Sequence, residues 1–494
     1  MNKKIVIIGG GVAGLSAGIY ARLNGFDAEI FEMHSITGGQ CTAWERKGYR
    51  FDYCLRWLVG TRTGPFHDIW IETNAINDQV KIVNHDIHTK MFSEDGIEFN
   101  LLTDLEKWRD YLLQIAPEDA KSIRKMCGDM RKTAFVHPFS DAPHNRKLKD
   151  NIRQLFRNFP VIILYFKFGR KTCNQYFEEL NFKNQKLRYF FYNLYATKDY
   201  SALAFIMMLA WFNQKNAGYV IGGSLPLARR MTEKFLGLGG IVSTNRKVEK
   251  IIVENNNAVG VKLYDRPEIK ADYVISAADG HSTIFEMLEG KYLDEKITNA
   301  YGTWDVFDPI VQVSFGINKE IKSDFAVQSW LVKSIKIGMT KLDHGYSIMN
   351  YHFDPTMAPS GKTVIVLRYV TPWKLWKELE GEAYKNEKHQ IEKEAIIILE
   401  KHFPGITGNI EIIDVATPKT GVRHTGVWKG AYEGFLPSNR NLNANLNLTL
   451  PGLKRFYMAG QWLFPGGGLP PAGQSGKWVI QMICKKEKRK FKTC

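Results

Sequence analysis

The hydrophobic pattern at the N-terminus predicts a strand, a helix and a second strand in direct succession. The apolar run from Lys4 to Ile8 is typical of a buried parallel strand, and a second apolar run from Ala28 to Phe31 ends at Glu32. Between the two runs, apolar residues recur at the spacing of one helix face, at Val12, Leu15, Ile19 and Leu23. The pattern therefore predicts the βαβ beginning of an α/β protein.

A glycine-rich loop joins the predicted first strand to the helix. Gly9, Gly11 and Gly14 form the pattern G-x-G-x-x-G. In this pattern the first glycine makes a tight turn, the second lets the backbone approach a pyrophosphate, and the third lets helix and strand pack closely. The helix start at Val12 and Ala13 supplies free N–H groups and a partial positive charge for the phosphates. Strand, loop and helix therefore predict a dinucleotide-binding site.

The residues after the second strand indicate which dinucleotide is bound. Glu32 is placed to accept hydrogen bonds from the hydroxyls of the adenosine ribose, and its charge would repel a ribose phosphate, which disfavours NADP. Gly38 and Gly39 follow, and Gly48 and Asp52 then complete a G-x-x-x-D pattern. This arrangement resembles the extended dinucleotide motif of the FAD-binding amine oxidase and phytoene desaturase superfamily. The resemblance implies FAD, with the Gly38 and Gly39 amides near its ribityl and phosphate region.

A second glycine-rich loop stands near the C-terminal end of the chain. The run from Arg455 to Ala459 predicts a strand, Gly460 follows it, and "PGGGLPPAGQSG" leads into an apolar stretch. Together with the N-terminal motif, this loop resembles the C-terminal flavin signature of bacterial-type phytoene desaturases, carotenoid isomerases and retinol saturases. The resemblance implies that the two loops bind opposite halves of one FAD. The small residues Ala472, Gly473, Ser475 and Gly476 are expected to begin a helix packed against the flavin.

The middle of the chain is similar to the same family, in the same order. The segment "GGSLPLARRMTEKF" and the run around Val248 resemble a helix and a strand whose backbone meets the adenine. "ADYVISAAD", which ends at Asp279, resembles the return strand of the domain, and "DVATPKTGVRHTGVWKGAYEG" also resembles the family without an assigned chemistry. The segment "FDYCLRWLVG" stands where the family often has D-x-G-P, and this difference leaves the subgroup open.

The resemblance covers the whole chain and implies an α/β fold. It consists of a Rossmann-like FAD-binding domain built from discontinuous segments, and a substrate domain with a mixed sheet and a helical cap. The predicted segments are 1–130, 218–299 and 436–494 for FAD binding, 131–217 for the helical cap, and 300–435 for the substrate sheet. The residues predicted to bind the cofactor are Gly9, Gly11, Val12, Ala13, Gly14, Glu32, Gly38, Gly39, Gln40, Val248, Gly460, Gly467, Gly468 and Ala472.

The implied activity is that of an FAD-dependent oxidoreductase acting on carbon–carbon bonds of an apolar polyene, such as a carotenoid, a retinoid or a related lipid. Desaturation, saturation and cis–trans isomerisation use the same parts, so the direction stays open. Arg56, Trp57, Arg423 and His424 lie in segments that would face a substrate. Only His424 is a candidate proton donor, and a structural role for this histidine is the competing interpretation. The alternative functions are a flavin amine oxidase and a non-catalytic, membrane-associated flavin- or lipid-binding protein.

The charge balance bears on partners. The chain of 494 residues has a net charge of +16, which indicates attraction to anionic surfaces or ligands. Residues 131–217 interleave aromatic and basic side chains. This pattern predicts either an ordinary helical domain with a basic surface or a cap that contacts a membrane interface. No nucleic-acid module is evident, so no nucleic-acid partner is expected.

The cysteines and the hydropathy bear on location. The six cysteines are scattered without a matching histidine cluster, so no metal site is expected and a reducing compartment is favoured. No stretch approaches the ~20 apolar residues of a membrane-spanning helix. We therefore expect a cytoplasmic protein, with peripheral contact at the inner membrane face as the accompanying hypothesis, and the oligomeric state stays open.

Overall fold

A computed structural model describes most of the chain. The described residues are 2–133, 141–143, 159–194, 200–264, 266–323, 325–332, 334–438, 441 and 444–494. Two of the basic residues in the predicted cap, Arg153 and Arg157, lie outside this part.

The described part of the chain contains both α-helices and β-strands. The helices are α1 (Val12–Leu23), α2 (Pro65–Glu72), α3 (Leu105–Ile115), α4 (Ala120–Thr133), α5 (Phe159–Phe168), α6 (Cys173–Leu180), α7 (Gln185–Leu194), α8 (Ala202–Asn213), α9 (Ser224–Gly237), α10 (Glu295–Thr303), α11 (Gly381–His402), α12 (Pro418–Thr425) and α13 (Leu469–Lys486). The strands are β1 (Lys4–Ile8), β2 (Asp27–Phe31), β3 (Ala43–Arg46), β4 (Tyr49–Asp52), β5 (Leu58–Val59), β6 (Ile82–Val83), β7 (Ile87–Ser93), β8 (Glu98–Leu102), β9 (Ala217–Val220), β10 (Ile241–Ser243), β11 (Val248–Glu254), β12 (Asn257–Leu263), β13 (Glu268–Lys270), β14 (Tyr273–Ser276), β15 (Ile310–Ile317), β16 (Phe325–Leu331), β17 (Ile335–Ile337), β18 (Thr340–Leu342), β19 (Tyr346–Asn350), β20 (Thr363–Val370), β21 (Ile410–Ala416) and β22 (Phe456–Met458).

A five-stranded parallel sheet gathers strands from distant parts of the chain. Its order is β10-β2-β1-β14-β22, and every neighbouring pair runs parallel. In the central strand, Ile5 pairs with Ala28 on one side and with Tyr273 on the other. The predicted Rossmann-like domain built from discontinuous segments is therefore confirmed.

Helix α1 packs against β1 and β2 of this sheet, and α13 packs closely against α1. A Cβ at Gly476 of α13 would clash with the backbone of Ala13 in α1, and the Ser16 hydroxyl donates to the carbonyl oxygen of Gly473 at 2.7 Å. The small residues of α13 therefore let the last helix pack onto the first. Because the second glycine loop leads directly into α13, this packing brings the two glycine loops together.

A second sheet of seven strands has the order β21-β15-β20-β19-β16-β7-β8. Two of its strands, β15 and β20, lie in the predicted substrate-sheet segment 300–435 and pair antiparallel from Ile310 opposite Val370. Strands β7 and β8 belong to the same sheet, although they lie within the segment 1–130 that was assigned to FAD binding. The mixed sheet of the substrate domain is thus confirmed, and it draws on an earlier part of the chain than expected.

Helices α3 to α8 form a separate aromatic core. Phe99 stacks on Phe190 with ring centroids 4.7 Å apart, and Phe182 stacks on Phe191 at 5.0 Å. In the part of the chain that the structure describes, no helix is long and apolar enough to span a membrane.

Candidate functional site

A cavity of about 720 Å³ lies between the two glycine-rich loops. Twelve of the fourteen residues predicted to bind the cofactor line it, namely Gly9, Gly11, Val12, Ala13, Glu32, Gly38, Gly39, Gln40, Val248, Gly460, Gly468 and Ala472. We call it the nucleotide cavity. The two loops, more than four hundred residues apart in sequence, therefore face the same space.

The three glycines of the first loop have different surroundings. Gly9 has φ of +94°, and a Cβ there would lie 3.1 Å from the carbonyl oxygen of Ala277, so the turn needs glycine. A Cβ at Gly14 would clash with the carbonyl oxygen of Gly9, which explains the close packing of α1 on β1. A Cβ at Gly11 would meet nothing closer than 3.9 Å and would point into the nucleotide cavity. Of these three glycines, only Gly11 is required neither by its backbone conformation nor by packing against the protein. Its missing side chain leaves space open in the cavity.

Glu32 lies at the end of β2, where its carboxylate lines the cavity and also holds the first loop. One carboxylate oxygen accepts from the Gly10 N–H at 2.7 Å and the other from the His34 N–H at 2.8 Å. Burial raises the pKa of Glu32, and these N–H donors oppose the rise. Each oxygen retains a second acceptor position. The carboxylate can therefore fix the loop and still accept from a ligand hydroxyl.

The second loop ends where α13 begins. Gly468, the residue before α13, has φ of +89° and lines the cavity. A Cβ at Gly460 would have no neighbour within 4 Å. Of the four small residues expected against the flavin, only Ala472 lines the cavity. The other three contact the protein, because Gly473 and Gly476 pack against neighbouring helices and the Ser475 hydroxyl accepts from the Gly460 N–H at 2.8 Å.

Two helix starts and one buried acid complete the electrostatics of this cavity. Helices α1 and α13 both begin at it, and their free N–H groups favour negative charge there. Asp279 lines the opposite wall and accepts from the Trp428 N–H at 2.9 Å and the Ser282 N–H at 3.0 Å. Burial raises its pKa to about 6, although these N–H groups oppose the rise.

A second cavity of about 540 Å³ adjoins the first at the second glycine loop. The two cavities share Gln40, Gln461, Gly468 and Leu469. Gln461 donates its side-chain amide to Gln40 at 2.9 Å, and Gln40 donates to the carbonyl oxygen of Ala431 at 3.0 Å. Gly467 lines only this second cavity, and a Cβ there would clash with the carbonyl oxygen of Glu433. The loop between Gly460 and Leu469 therefore forms the boundary of both spaces.

The walls of the second cavity are mainly apolar, and we call it the apolar cavity. Helix α8 contributes Leu203, Met207 and Trp211, which recur every fourth residue on one face. Further apolar walls come from Leu58, Val59, Phe66, Phe307 and Phe464. Arg56 and Glu433 are the two charged residues among the described lining.

A buried hydrogen-bond network holds the segment that carries Arg56. The Asp52 carboxylate accepts from the N–H groups of Cys54 and Leu55 at 2.9 and 2.8 Å, and from the Ser224 N–H at 2.6 Å. The Arg368 guanidinium donates to the carbonyl oxygens of Asp52 and Tyr53 at 3.0 and 2.6 Å. Asp52, which the sequence placed in a G-x-x-x-D motif, is therefore a positioning residue for the chain that enters the apolar cavity.

The remaining candidates separate into different places. Arg56 and Trp57 line the apolar cavity, whereas Arg423 lines the nucleotide cavity. His424 is absent from the described lining of both. Its ring packs edge-on against the ring of His34, with ring centroids 4.8 Å apart. His34 lies two positions after Glu32 in the chain. This location does not favour His424 as a proton donor to a molecule in the apolar cavity.

Two residues of this site escaped the sequence analysis. Gln461 follows the glycine that ends the predicted strand, and a lone glutamine there carries no signal. Glu433 lies in the "GAYEG" segment, which had no assigned chemistry. The one available signal was an acidic residue inside an otherwise apolar and glycine-rich stretch.

Comparison with known proteins gives matches over one segment and over the whole chain. Residues 7–72 match the NAD(P)-binding Rossmann-like domain family. The chain is 23% identical to 4,4'-diaponeurosporene oxygenase of Staphylococcus haemolyticus, covering 98% of this chain and 97% of that protein. It is 23% identical to the neurosporene-forming phytoene desaturase of Cereibacter sphaeroides, covering 94% and 92%. It is 22% identical to the chloroplastic prolycopene isomerase of Arabidopsis thaliana, covering 95% and 81%. The chain is therefore similar over nearly its whole length to proteins named as carotenoid desaturases and isomerases.

A solved structure shares the fold of this chain. Putrescine oxidase bound to putrescine superposes with a TM-score of 0.62 at 14% identity, covering 98% of this chain and 99% of that one. At this identity the likeness shows the fold alone. It confirms the α/β architecture with a Rossmann-like domain and a mixed sheet.

Proposed function

We propose that this protein is an FAD-dependent oxidoreductase that acts on carbon–carbon bonds of an apolar polyene. One observation carries the proposal: the nucleotide cavity and the apolar cavity meet at the loop from Gly460 to Leu469. A dinucleotide in the first cavity would thereby present its reactive end to an apolar molecule in the second. The whole-length similarity to carotenoid desaturases and isomerases supports the same substrate class.

The residues around the nucleotide cavity fit FAD. The open space at Gly11 and the N–H groups at the start of α1 suit a pyrophosphate. Glu32 suits the ribose hydroxyls of the adenosine, and the strand start at Val248 suits the adenine. At the other end, the start of α13 suits the ring carbonyls, where negative charge grows on reduction. When bound, FAD supplies a hydride acceptor or donor at its ring.

The chain's own residues bind the substrate, orient it and exclude water from it. The apolar side chains of α8 surround the second cavity and favour a hydrocarbon chain over water. The Gln461 to Gln40 hydrogen bond lies at the boundary and fixes the position of the second glycine loop. A conjugated polyene spreads the charge that forms during reaction, so orientation against the flavin matters more than a strong acid or base. Desaturation, saturation and isomerisation all require this same arrangement.

The amine oxidase alternative rests on the shared fold. The apolar cavity contains one cationic and one acidic side chain, Arg56 and Glu433, so its net charge does not favour an amine over a neutral substrate. The non-catalytic alternative predicts a flavin that does not change its redox state with substrate. Neither alternative has a specific structural observation in its favour.

We also propose peripheral contact with a membrane surface at α5. On this helix, Ile163 and Phe166 are 53% and 83% exposed, while Tyr165 lines the apolar cavity. An apolar helix with basic neighbours such as Arg170 and Lys171 suits an anionic lipid surface. An apolar substrate would enter the cavity past this helix. A cytoplasmic location with contact at the inner membrane face fits this proposal.

The bound nucleotide provides the first test. Purified protein is expected to be yellow and to release FAD on denaturation, as identified by mass spectrometry of the supernatant. The apoprotein is expected to rebind FAD and not NAD. Recovery of NAD, or of no nucleotide after gentle purification, would contradict the proposal.

A further inference from the structure

Two charged side chains, Arg56 and Glu433, line the apolar cavity among walls that are otherwise mainly apolar. Arg56 lies on the segment after β4, and Glu433 lies 35 residues before Gly468, the residue that precedes α13. Both are half-buried and line the cavity. The carboxyl carbon of Glu433 lies 4.0 Å from the position that a Cβ at Gly468 would occupy. Glu433 therefore lies beside the boundary with the nucleotide cavity.

Neither charged group has a hydrogen-bond or ion-pair partner among the described residues. The hydroxyl of the adjacent Tyr432 donates instead to the carbonyl oxygen of Cys54 at 2.8 Å. The central carbon of the Arg56 guanidinium lies 5.9 Å from the centroid of the Trp57 ring. A charged group in a protein interior is normally paired with a group of opposite charge, because an unpaired buried charge is costly. Both groups line the apolar cavity without such a partner.

The electrostatics of the two groups are linked. Burial raises the pKa of the Glu433 carboxyl, and the positive charge of Arg56 opposes that rise. A guanidinium only donates hydrogen bonds, and a carboxylate only accepts them. With both ionised, the pair is neutral overall and offers one donor and one acceptor to a molecule in the cavity. A neutral ligand group that both accepts and donates matches this pair.

We propose that Arg56 and Glu433 bind a hydroxyl group carried by an otherwise apolar substrate. The hydroxyl oxygen accepts from the Arg56 guanidinium, and its proton is donated to the Glu433 carboxylate. This proposal rests on the proposed function, and it narrows the substrate from a polyene hydrocarbon to an oxygen-bearing polyene. An aldehyde satisfies only Arg56, a carboxylate pairs with Arg56 but is repelled by ionised Glu433, and a hydrocarbon leaves both groups unsatisfied.

Binding of matched probes tests the proposal without turnover. All-trans-retinol, all-trans-retinal, all-trans-retinoic acid and the hydrocarbon axerophtene share one polyene and differ at its end. Dissociation constants are measured with the flavin-loaded protein by changes in probe absorbance and flavin fluorescence. We expect retinol to bind about tenfold or more tightly than the hydrocarbon, the scale of one hydrogen bond to a charged group. Equal binding of the two, or preferred binding of retinoic acid, would overturn the proposal.

Two variants and one control assign the preference to these residues. Arg56→Met and Glu433→Leu are each expected to reduce the retinol preference at least fivefold, while hydrocarbon binding stays the same or improves. Arg62→Met, at an exposed arginine that donates to the carbonyl oxygen of Gln214, makes the same change of charge outside the cavity and is expected to keep the preference. Flavin content and circular dichroism identify any misfolded variant, and Glu433→Gln then replaces Glu433→Leu. A retinol preference that persists in both cavity variants would overturn the proposal.

The same samples separate this proposal from the proposed function. Flavin content and conversion of double bonds report on the function, whereas the probe preference reports on Arg56 and Glu433. A protein that binds FAD and converts a polyene, but shows no retinol preference, contradicts only the hydroxyl site. A protein without FAD contradicts the proposed function, and the preference is then measured on the apoprotein.

Discussion

The most specific structural prediction concerns two glycines of the first loop that have opposite roles. Gly11 has φ of −70° and ψ of 179°, which any residue adopts, and a Cβ there would meet no protein atom closer than 3.9 Å. In Gly11→Ala the methyl group therefore occupies cavity space rather than protein space. A Cβ at Gly14 would instead clash with the carbonyl oxygen of Gly9. Alanine at these two positions is expected to separate cofactor affinity from stability.

The magnitudes follow from overpacking, which costs about 1–3 kcal/mol. In Gly11→Ala this cost falls on the complex, so FAD affinity should drop by about fivefold to 150-fold. The apoprotein should stay within about 1 kcal/mol of wild type, because replacing glycine at an allowed φ has small effects of both signs. In Gly14→Ala the cost falls on the folded apoprotein, and its midpoint of thermal unfolding should fall.

Isothermal titration of FAD into apoprotein measures the first quantity, and thermal unfolding of the same apoprotein measures the second. The bulkier Gly11→Val is expected to abolish FAD retention during purification. Unchanged FAD affinity in Gly11→Ala, with a folded apoprotein, would refute the assignment of this space to the pyrophosphate. A Gly14→Ala apoprotein as stable as wild type would refute the packing argument.

Three further predictions concern single acidic or exposed residues. Glu32→Ala should weaken FAD binding by about 1–3 kcal/mol, and Glu32→Gln by less because one acceptor remains; unchanged titration in a folded Glu32→Ala protein would contradict the role of this carboxylate. Asp279 has its pKa raised to about 6 from an ordinary value of about 3.9. Its contribution to the free energy of unfolding of the apoprotein, about 3 kcal/mol, is therefore fully present below pH ~4 and is lost as pH rises through ~6. Denaturant unfolding between pH 4 and 7 should therefore show a flatter profile in Asp279→Asn, and an unchanged slope would speak against it. Phe166→Ser should reduce co-sedimentation with anionic vesicles, with binding that also weakens as salt is raised; equal binding to neutral and anionic vesicles would contradict membrane contact at α5.

Local signals predicted the nucleotide half of the protein well. The strand Lys4–Ile8 was predicted at its observed bounds, and β2 and β22 within one residue at each end. Their signals are short-range, because apolar runs bounded by glycine loops identify buried parallel strands. The resemblance then placed the second loop beside the first, which no periodicity in the sequence indicates.

The substrate half was harder to predict because its contacts connect distant segments. Strand β7 pairs with β8 beside it in the chain and also with β16, more than two hundred residues later, and nothing local in residues 87–102 indicates that second partner. The small residues of α13 illustrate a second difficulty. Glycine permits close approach to a ligand and to a helix equally well, and Gly473 and Gly476 serve the helix.

The charged pair in the apolar cavity was also hard to predict because its two members come from distant parts of the chain. Arg56 was recognised as a residue that would face a substrate, but Glu433 was not. The two lie 377 positions apart in sequence, and only the fold directs both to one cavity. His424, the candidate proton donor, lies instead against His34.

The central claim is that the apolar cavity presents carbon–carbon bonds of a polyene to a bound flavin. The direct measurement incubates the purified FAD-loaded protein, oxidised and separately dithionite-reduced, with polyenes, retinoids, unsaturated fatty acids and simple amines, and analyses the products by chromatography and mass spectrometry. The account predicts a change in the number or geometry of double bonds in at least one polyene or retinoid, and no oxidation of the amines. Oxidation of an amine with no change in any alkene would contradict it.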